Sequence, residues 1–106
     1  MKRINKASVA YKDSLIDDLR DDEEAQIAYI QASFEDNGDM PSALLSSIRN
    51  VAEARGFKNF AEEADLNREN LYRVLSKNGN PRLDTFVKIL ESLGLRLSVE
   101  PKSRAS

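Results

Sequence analysis

The sequence predicts an all-α (mainly α) fold of five helices followed by one short C-terminal β-strand. Apolar residues recur at helical spacing in several segments of the chain. Turn-forming runs, such as Asn37-Gly38 and the stretch Asn78–Pro81, separate these segments. Residues 95–100 instead alternate apolar and polar side chains, which is typical of a strand.

The length and composition of the chain suit one domain with a modest core. It has 106 residues, of which 41% are hydrophobic and 32% charged, so we expect a globular protein. The predicted division is a partly extended or flexible N-terminal arm (1–20), a helical domain (21–94), the strand (95–100) and a flexible tail (101–106).

Each predicted helix has a recognisable beginning or end. The five helices are expected at about 21–36, 41–56, 59–65, 67–77 and 83–93. Acidic residues in the first turn favour the start of the first helix, and Pro41 favours the start of the second. Asn59 with Glu62 forms a capping-box pattern for the third helix, and Asn67 is the expected N-cap of the fourth.

The predicted C-terminal strand needs a partner, because a lone strand leaves its backbone donors and acceptors unpaired. Residues 1–12 show no helical period, and a short extended piece is expected around Val9–Tyr11. Leu95, Leu97 and Val99 would therefore pair with that piece, with the same strand of a second copy, or with another protein.

Residues 57–77 fit a helix-turn-helix, which needs a small residue where its helices cross and apolar residues beside the turn. Phe60 faces inward, Ala61 is the small residue at the crossing, and Leu66 fills the turn. Asp65 stands where Gly is usual. That position often requires a positive φ, which Asp tolerates better than most residues.

The outward side of the second of these helices is a candidate for reading DNA, because an α-helix fits the major groove. The candidates for base readout are Asn67, Arg68, Glu69, Asn70, Tyr72 and Arg73. The candidates for phosphate contact are Lys58, Asn59, Lys77, Asn78, Gly79, Asn80 and Arg82. For Asn67, capping competes with base reading, since one carboxamide oxygen cannot easily do both. The alternative is an ordinary solvated helix surface.

The charge distribution supports a local phosphate-binding surface on a weakly acidic protein. Residues 1–40 carry five cations and ten anions, whereas residues 41–106 have a net charge of +3. Between residues 67 and 82, four cations face a single acid, Glu69. Because charges act mainly within about 8–10 Å at physiological salt, this local excess matters more than the net charge.

Several function classes are excluded or disfavoured by what the sequence lacks. There is no Cys and no His, which removes disulfides, thiolate metal sites and the usual general base. No Gly-rich phosphate loop of the GxxxxGK type occurs. We therefore expect no enzyme, no cofactor and no metal site. The N-terminus lacks a signal-peptide core and no apolar run spans a bilayer, so we expect a cytoplasmic protein without membrane contact.

The run LNRENLYRVLSKNGNPRLDTFVKILESLGLRLSVE resembles the C-terminal half of the addiction-module antidote family. These are HigA-like helix-turn-helix antitoxins that pair with toxins of the RelE/ParE superfamily. EEAQIAYIQASFED and ALLSSIRNVAEARG resemble the family's first and second helices, so the resemblance covers roughly residues 12–100. The fold expected is accordingly a five-helix, lambda-repressor-like helix-turn-helix domain. Asp65 is a departure, because the family commonly has Gly in the turn.

The resemblance implies the antitoxin of a type II toxin–antitoxin module. Such a protein would bind double-stranded operator DNA of its own operon as a homodimer and hold a cognate RelE/ParE-type toxin inactive. The alternatives are a stand-alone, phage-type repressor without a toxin and a pure protein-interaction domain.

The acidic N-terminal part of the chain is the candidate surface for the toxin. A toxin that cleaves RNA presents a basic surface, which an anionic segment would complement. The candidate contacts are Tyr11, Leu15, Asp17, Asp18, Asp21 and Asp22. These acids would equally serve only to favour a helix N-terminus and to keep the protein in solution.

Overall fold

Six α-helices make up the part of the chain described by a computed structural model, residues 6–102. They are α1 (Lys6–Leu19), α2 (Glu23–Asp36), α3 (Pro41–Arg55), α4 (Phe57–Glu63), α5 (Arg68–Val74) and α6 (Leu83–Ser92). α3 packs against α1, α2 and α4, and α4 packs against α5. Among residues 6–102, no helix has both the length and the apolar composition needed to cross a bilayer.

The fold is all-α, but the prediction of five helices with a C-terminal β-strand is wrong. Residues 6–102 contain six helices and no strand. The additional helix is α1, which occupies the stretch where extended backbone was expected around Val9–Tyr11. Residues 1–5 of the predicted arm and 103–106 of the predicted tail lie outside the described residues.

Residues 95–100 do not form the predicted strand. Pairing with the stretch around Val9–Tyr11 is excluded, because a helix there uses its own backbone donors and acceptors. Leu95 donates its backbone N–H to the carbonyl of Leu90 at 2.9 Å and packs its side chain against the core. Leu97 and Val99 are exposed. The alternation of apolar residues here therefore reflects one packed leucine followed by solvent-exposed side chains.

α1 belongs to the fold because its second half buries apolar side chains. Ile16 and Leu19 lie three residues apart, on one side of the helix, and both join the core cluster. Asp21, with a φ of 59°, turns the chain after α1. Asp22 then caps α2, because its carboxylate accepts a hydrogen bond from the N–H of Ala25 at 3.0 Å. The first predicted helix thus begins at Glu23 rather than at Asp21.

The core is centred on α3. Ile48 and Val51 of α3 are completely buried, and Phe60 of α4, Leu71 of α5 and Ile89 of α6 join the same cluster. Burying a side chain of this size stabilises the folded state by about 1.5–3 kcal/mol. These contacts fix the positions of α4 and α5, which carry the candidate site.

A polar network centred on Arg55 connects α1, α2, α3, α4 and α6. The Nε of Arg55 donates to Oε1 of the buried Gln26 at 2.8 Å, and Nε2 of Gln26 donates to the Leu19 carbonyl at 2.8 Å. The Nη1 of Arg55 reaches the Ser92 carbonyl at 3.3 Å and Oε2 of Glu63 at 3.1 Å. None of the buried side-chain polar atoms of these described residues lacks a partner, so their burial costs little.

Candidate nucleic-acid interface

A tight turn joins α4 to α5. The N–H of Leu66 donates to the carbonyl of Ala61 at 2.8 Å, which brings the chain back across the end of α4. Asp65 has a φ of 55°, so the positive φ predicted for this position is confirmed. Ala61 is buried, and its small side chain permits close contact between the helices.

α4 begins earlier than its capping pattern indicated. Gly56 precedes it with a φ of 90°, and Phe57 is already helical. Asn59 therefore lies inside α4 and is not its N-cap, so the capping-box prediction was wrong. The Nδ2 of Asn59 instead lies 3.5 Å from the Arg55 carbonyl.

The start of α5 is fixed by its cap. The Oδ1 of Asn67 accepts a hydrogen bond from the N–H of Asn70 at 3.1 Å, which confirms the predicted N-cap. α5 ends at Val74, about one turn before the predicted end. There the Ser76 hydroxyl donates to the Arg73 carbonyl at 2.8 Å, and the Gly79 N–H donates to the Ser76 carbonyl at 2.8 Å.

The two sides of α5 differ as the sequence predicted. Leu71 and Val74 face the core and are buried. The opposite side is polar and open to solvent; its exposed residues are Arg68, Glu69, Tyr72 and Arg73, with Asn67 at the cap, and Asn70 is half-buried. This side is therefore accessible to a partner in the single chain.

Contacts within the helix pair hold some of these side chains in place. The Tyr72 ring stacks on Phe57 of α4, with ring centroids 4.0 Å apart and an interplanar angle of 15°. Stacking of this kind contributes about 0.5–1.5 kcal/mol beyond the area buried. The guanidinium of Arg73 donates to Oδ1 of Asn70. Because these side chains are already held in place in the free protein, they would lose less conformational entropy on binding a partner.

Most of the residues predicted to contact phosphate lie near the end of α5. Asn78, Gly79, Asn80 and Arg82 line one surface depression together with Asn70 and Arg73. Two base-reading candidates, Asn70 and Arg73, thus share a depression with four of the phosphate candidates. A glycine is required at residue 79, because a Cβ there would lie 2.1 Å from the Val74 carbonyl oxygen.

Two phosphate candidates, Lys58 and Asn59, lie on α4 and not on that surface. Both are exposed. Asn59 lines a different depression, together with four acids: Asp21, Glu23, Glu62 and Glu63. Carboxylates repel phosphate, so this neighbourhood disfavours a phosphate contact by Asn59.

The sequence did not indicate that Lys12 and Arg49 lie near Lys77. These three cations line one cleft between α1, α3 and the end of α5. They are 37 and 28 residues apart in the sequence, and no motif spans them. The sequence shows that each of these three segments carries a cation, but it does not show where the cations meet.

The candidate toxin contacts occupy the surface of α1 and the turn after it. Tyr11 is 72% exposed, whereas Leu15 is half-buried against the core. The four candidate acids are exposed; they are Asp17, Asp18, Asp21 and Asp22. Two of them already have local roles, because Asp17 pairs with Arg20 at 3.2 Å and Asp22 caps α2.

Comparisons with known proteins identify the family. A family model described as "Probable addiction module antidote protein" matches residues 11–101. An uncharacterized protein of Haemophilus influenzae (strain ATCC 51907 / DSM 11121 / KW20 / Rd) is 34% identical over 82 residues, covering 77% of this chain and 81% of that protein. No solved structure matches the chain. The matched range includes α2 to α6, and the chain belongs to the family of probable addiction module antidote proteins.

Proposed function

We propose that the protein is the antitoxin of a type II toxin–antitoxin module, with two binding activities and no catalysis. Membership of an antidote family implies an antitoxin role and, in general, a toxin partner. The proposal adds that the toxin is of the RelE/ParE type, that it is neutralised by direct contact, and that the protein represses its own operon as a DNA-binding homodimer.

The observation that supports DNA binding most strongly is the outward side of α5. Its polar side chains, among them Arg68, Glu69 and Arg73, are exposed on a helix whose start is capped and whose inner side is buried. A helix held in this way can lie in the major groove, where Arg recognises guanine by two hydrogen bonds. α4 and α5 would then act as a DNA-binding helix-turn-helix.

The depression beyond α5 supports the same interpretation. It places Arg82 and the amide side chains of Asn78 and Asn80 next to Arg73. Arg82 also lies 3.4 Å from Asp84, but both side chains are highly exposed, so this pair competes only weakly with a phosphate. Phosphate contacts of this kind fix the register of a protein on DNA without reading sequence.

The short length of α5 favours a homodimer, in which two copies of the helix read DNA together. α5 has seven residues and can reach only a few base pairs. Two copies related by a two-fold axis would read two half-sites about 34–36 Å apart, which corresponds to one helical turn. Light scattering on the purified protein and on its complex with DNA measures this directly.

The DNA-binding proposal is tested by fluorescence anisotropy with a duplex from the region upstream of the protein's own reading frame. Arg68→Ala should weaken binding by about 1–3 kcal/mol and relax the preference at one base pair. Arg96→Ala is the matched control, because it removes the same charge from an exposed residue that lies outside α4 and α5, after the end of α6. Equal affinity of wild type and Arg68→Ala would contradict the assignment of α5 as the reading helix.

The toxin proposal is tested by substitutions that remove charge from α1, and not by deleting the helix. Deleting residues 1–22 would remove Ile16 and Leu19 from the core, so any loss of neutralisation would report unfolding. We instead expect Asp17→Asn with Asp18→Asn to weaken neutralisation of the toxin encoded by the neighbouring gene.

The control pair is Glu35→Gln with Asp36→Asn, which removes the same charge from the exposed end of α2. Growth rescue and co-purification give the readout. Equal neutralisation by both double variants would exclude this part of α1 as the toxin surface. Absence of any co-purifying neighbour product would favour the stand-alone repressor.

A further inference from the structure

A cationic cleft lies between α1, α3 and the loop that follows α5. Lys12 of α1, Arg49 of α3 and Lys77 of the loop line it, and no carboxylate is among the lining residues. The other side chains in the lining that can donate hydrogen bonds are Ser42, Ser46, Asn50 and Ser76. Positive charge combined with hydroxyl and amide donors is the chemistry that binds a phosphate.

Glu53 compensates the positive charge of the cleft only in part. Oε1 of Glu53 lies 3.6 Å from Nζ of Lys12 and 3.5 Å from Nε of Arg49, so one carboxylate serves two cations. The side chains of Lys12 and Arg49 remain 50% and 37% exposed. Lys12, Arg49 and Lys77 together with Glu53 carry a formal charge of +2.

The hydrogen bonding of Arg49 is also incomplete. Its Nε is buried and has no hydrogen-bond acceptor among the described residues, since the approach to Glu53 satisfies a distance but not hydrogen-bond geometry. Because Nε is buried, a phosphate could reach only the exposed part of the guanidinium, and the Arg49 side chain is 37% exposed.

The cleft continues the surface already assigned to DNA. Ser76 lines both the cleft and the depression that contains Arg73 and Arg82. Cations thus extend from the start of α6, past the end of α5, to α3 and α1.

We propose that this cleft binds backbone phosphates of the duplex that α5 enters. The inference rests on the proposed DNA binding and extends it to Lys12 and Arg49, which lie outside the α4–α5 pair. Since phosphates are the same at every step, these contacts set affinity and orientation and leave sequence preference unchanged. α1, the helix absent from the sequence prediction, then has a role in DNA binding as well as in the core.

The test is the salt dependence of binding to the upstream duplex and to a scrambled duplex of equal length. Arg49→Gln removes the charge and keeps a polar side chain. Affinity falls as salt rises, and each lost phosphate contact makes the negative slope of log affinity against log salt less steep by about 0.9 per bound copy. We expect that change for Arg49→Gln and for Lys12→Gln, equal on both duplexes.

The matched control is Arg20→Gln, which removes one charge from an exposed residue just past the end of α1, next to Asp17. Its slope should equal that of the wild type. Thermal unfolding of each variant confirms that the compared proteins are folded, and Lys12, being half-exposed, provides a variant with little risk to the core.

The outcomes separate the two proposals. If wild type binds the upstream duplex and all three variants share its slope, the cleft does not bind phosphate, while the proposed function stands. The cleft proposal is equally overturned if Arg20→Gln lowers the slope as much as Arg49→Gln, because the effect is then one of net charge. If wild type does not bind the duplex, the proposed function fails and the cleft proposal with it.

Discussion

Replacing Asn67 separates the structural role of the cap from any role in reading bases. The Oδ1 of Asn67 accepts the N–H of Asn70 at 3.1 Å, and Asn67 itself is exposed, so Asn67→Ala removes one capping bond without opening a cavity. Loss of such a cap costs about 1 kcal/mol, within a range of about 0.5–2. For a domain of this size, that corresponds to a decrease in Tm of about 4 °C.

Asn67→Ser is the matched comparison for Asn67→Ala. A serine hydroxyl can cap the helix but cannot form the two-point contact of a carboxamide with adenine. Because the carboxamide oxygen is already engaged, we expect Asn67→Ser to match wild type in unfolding free energy and in DNA preference. Urea unfolding monitored by circular dichroism measures the first, and anisotropy with single-base operator variants measures the second.

Two results would refute this reasoning. If Asn67→Ala were as stable as wild type, the hydrogen bond to the N–H of Asn70 would contribute nothing to stability. If Asn67→Ser kept its stability but lost preference at one A·T pair, the side chain would read DNA despite its bond to Asn70.

Three further substitutions test the packing that positions α5. Phe60→Ala should lower the free energy of unfolding by about 3–5 kcal/mol, since this side chain is completely buried, and a loss below 2 in urea unfolding would contradict the packing described. Arg55→Met should cost about 1–3 kcal/mol by leaving Oε1 of the buried Gln26 unpaired, whereas the exposed Arg96→Met should be neutral in the same assay. Gly79→Ala should cost about 1–3 kcal/mol, because its Cβ would overlap the Val74 carbonyl; an unchanged Tm would mean that the turn relaxes freely.

The sequence predicted most helices because their apolar residues recur with the helical period. Ile48 and Val51 in α3, and Leu71 and Val74 in α5, lie three residues apart and are all buried. α1 was missed because residues 1–12 show no helical period in the sequence, although Ile16 and Leu19 further along α1 join the core. The strand was wrongly predicted because alternation alone does not supply a pairing partner.

The outward side of α5 could be predicted because it follows from which residues face inward. Once Leu71 is placed in the core, the helical period puts Glu69 and Arg73 on the opposite side of the helix and Tyr72 on its flank. The stacking of Tyr72 on Phe57 could not be predicted in this way, since it depends on the angle between two helices. The cleft of Lys12, Arg49 and Lys77 depends likewise on how α1 and α3 pack.

The most direct test of the account asks which groove of DNA the protein reads. In the upstream duplex that wild type binds, each guanine is replaced in turn by 7-deazaguanine, which lacks the major-groove N7 acceptor, or by inosine, which lacks the minor-groove amino group. Because a two-point arginine–guanine contact is worth about 1–3 kcal/mol, 7-deazaguanine at a contacted position should weaken binding by about fivefold or more, and inosine should not. If inosine alone weakened binding, the placement of α5 in the major groove would be contradicted. Unchanged affinity with both analogues would contradict it equally.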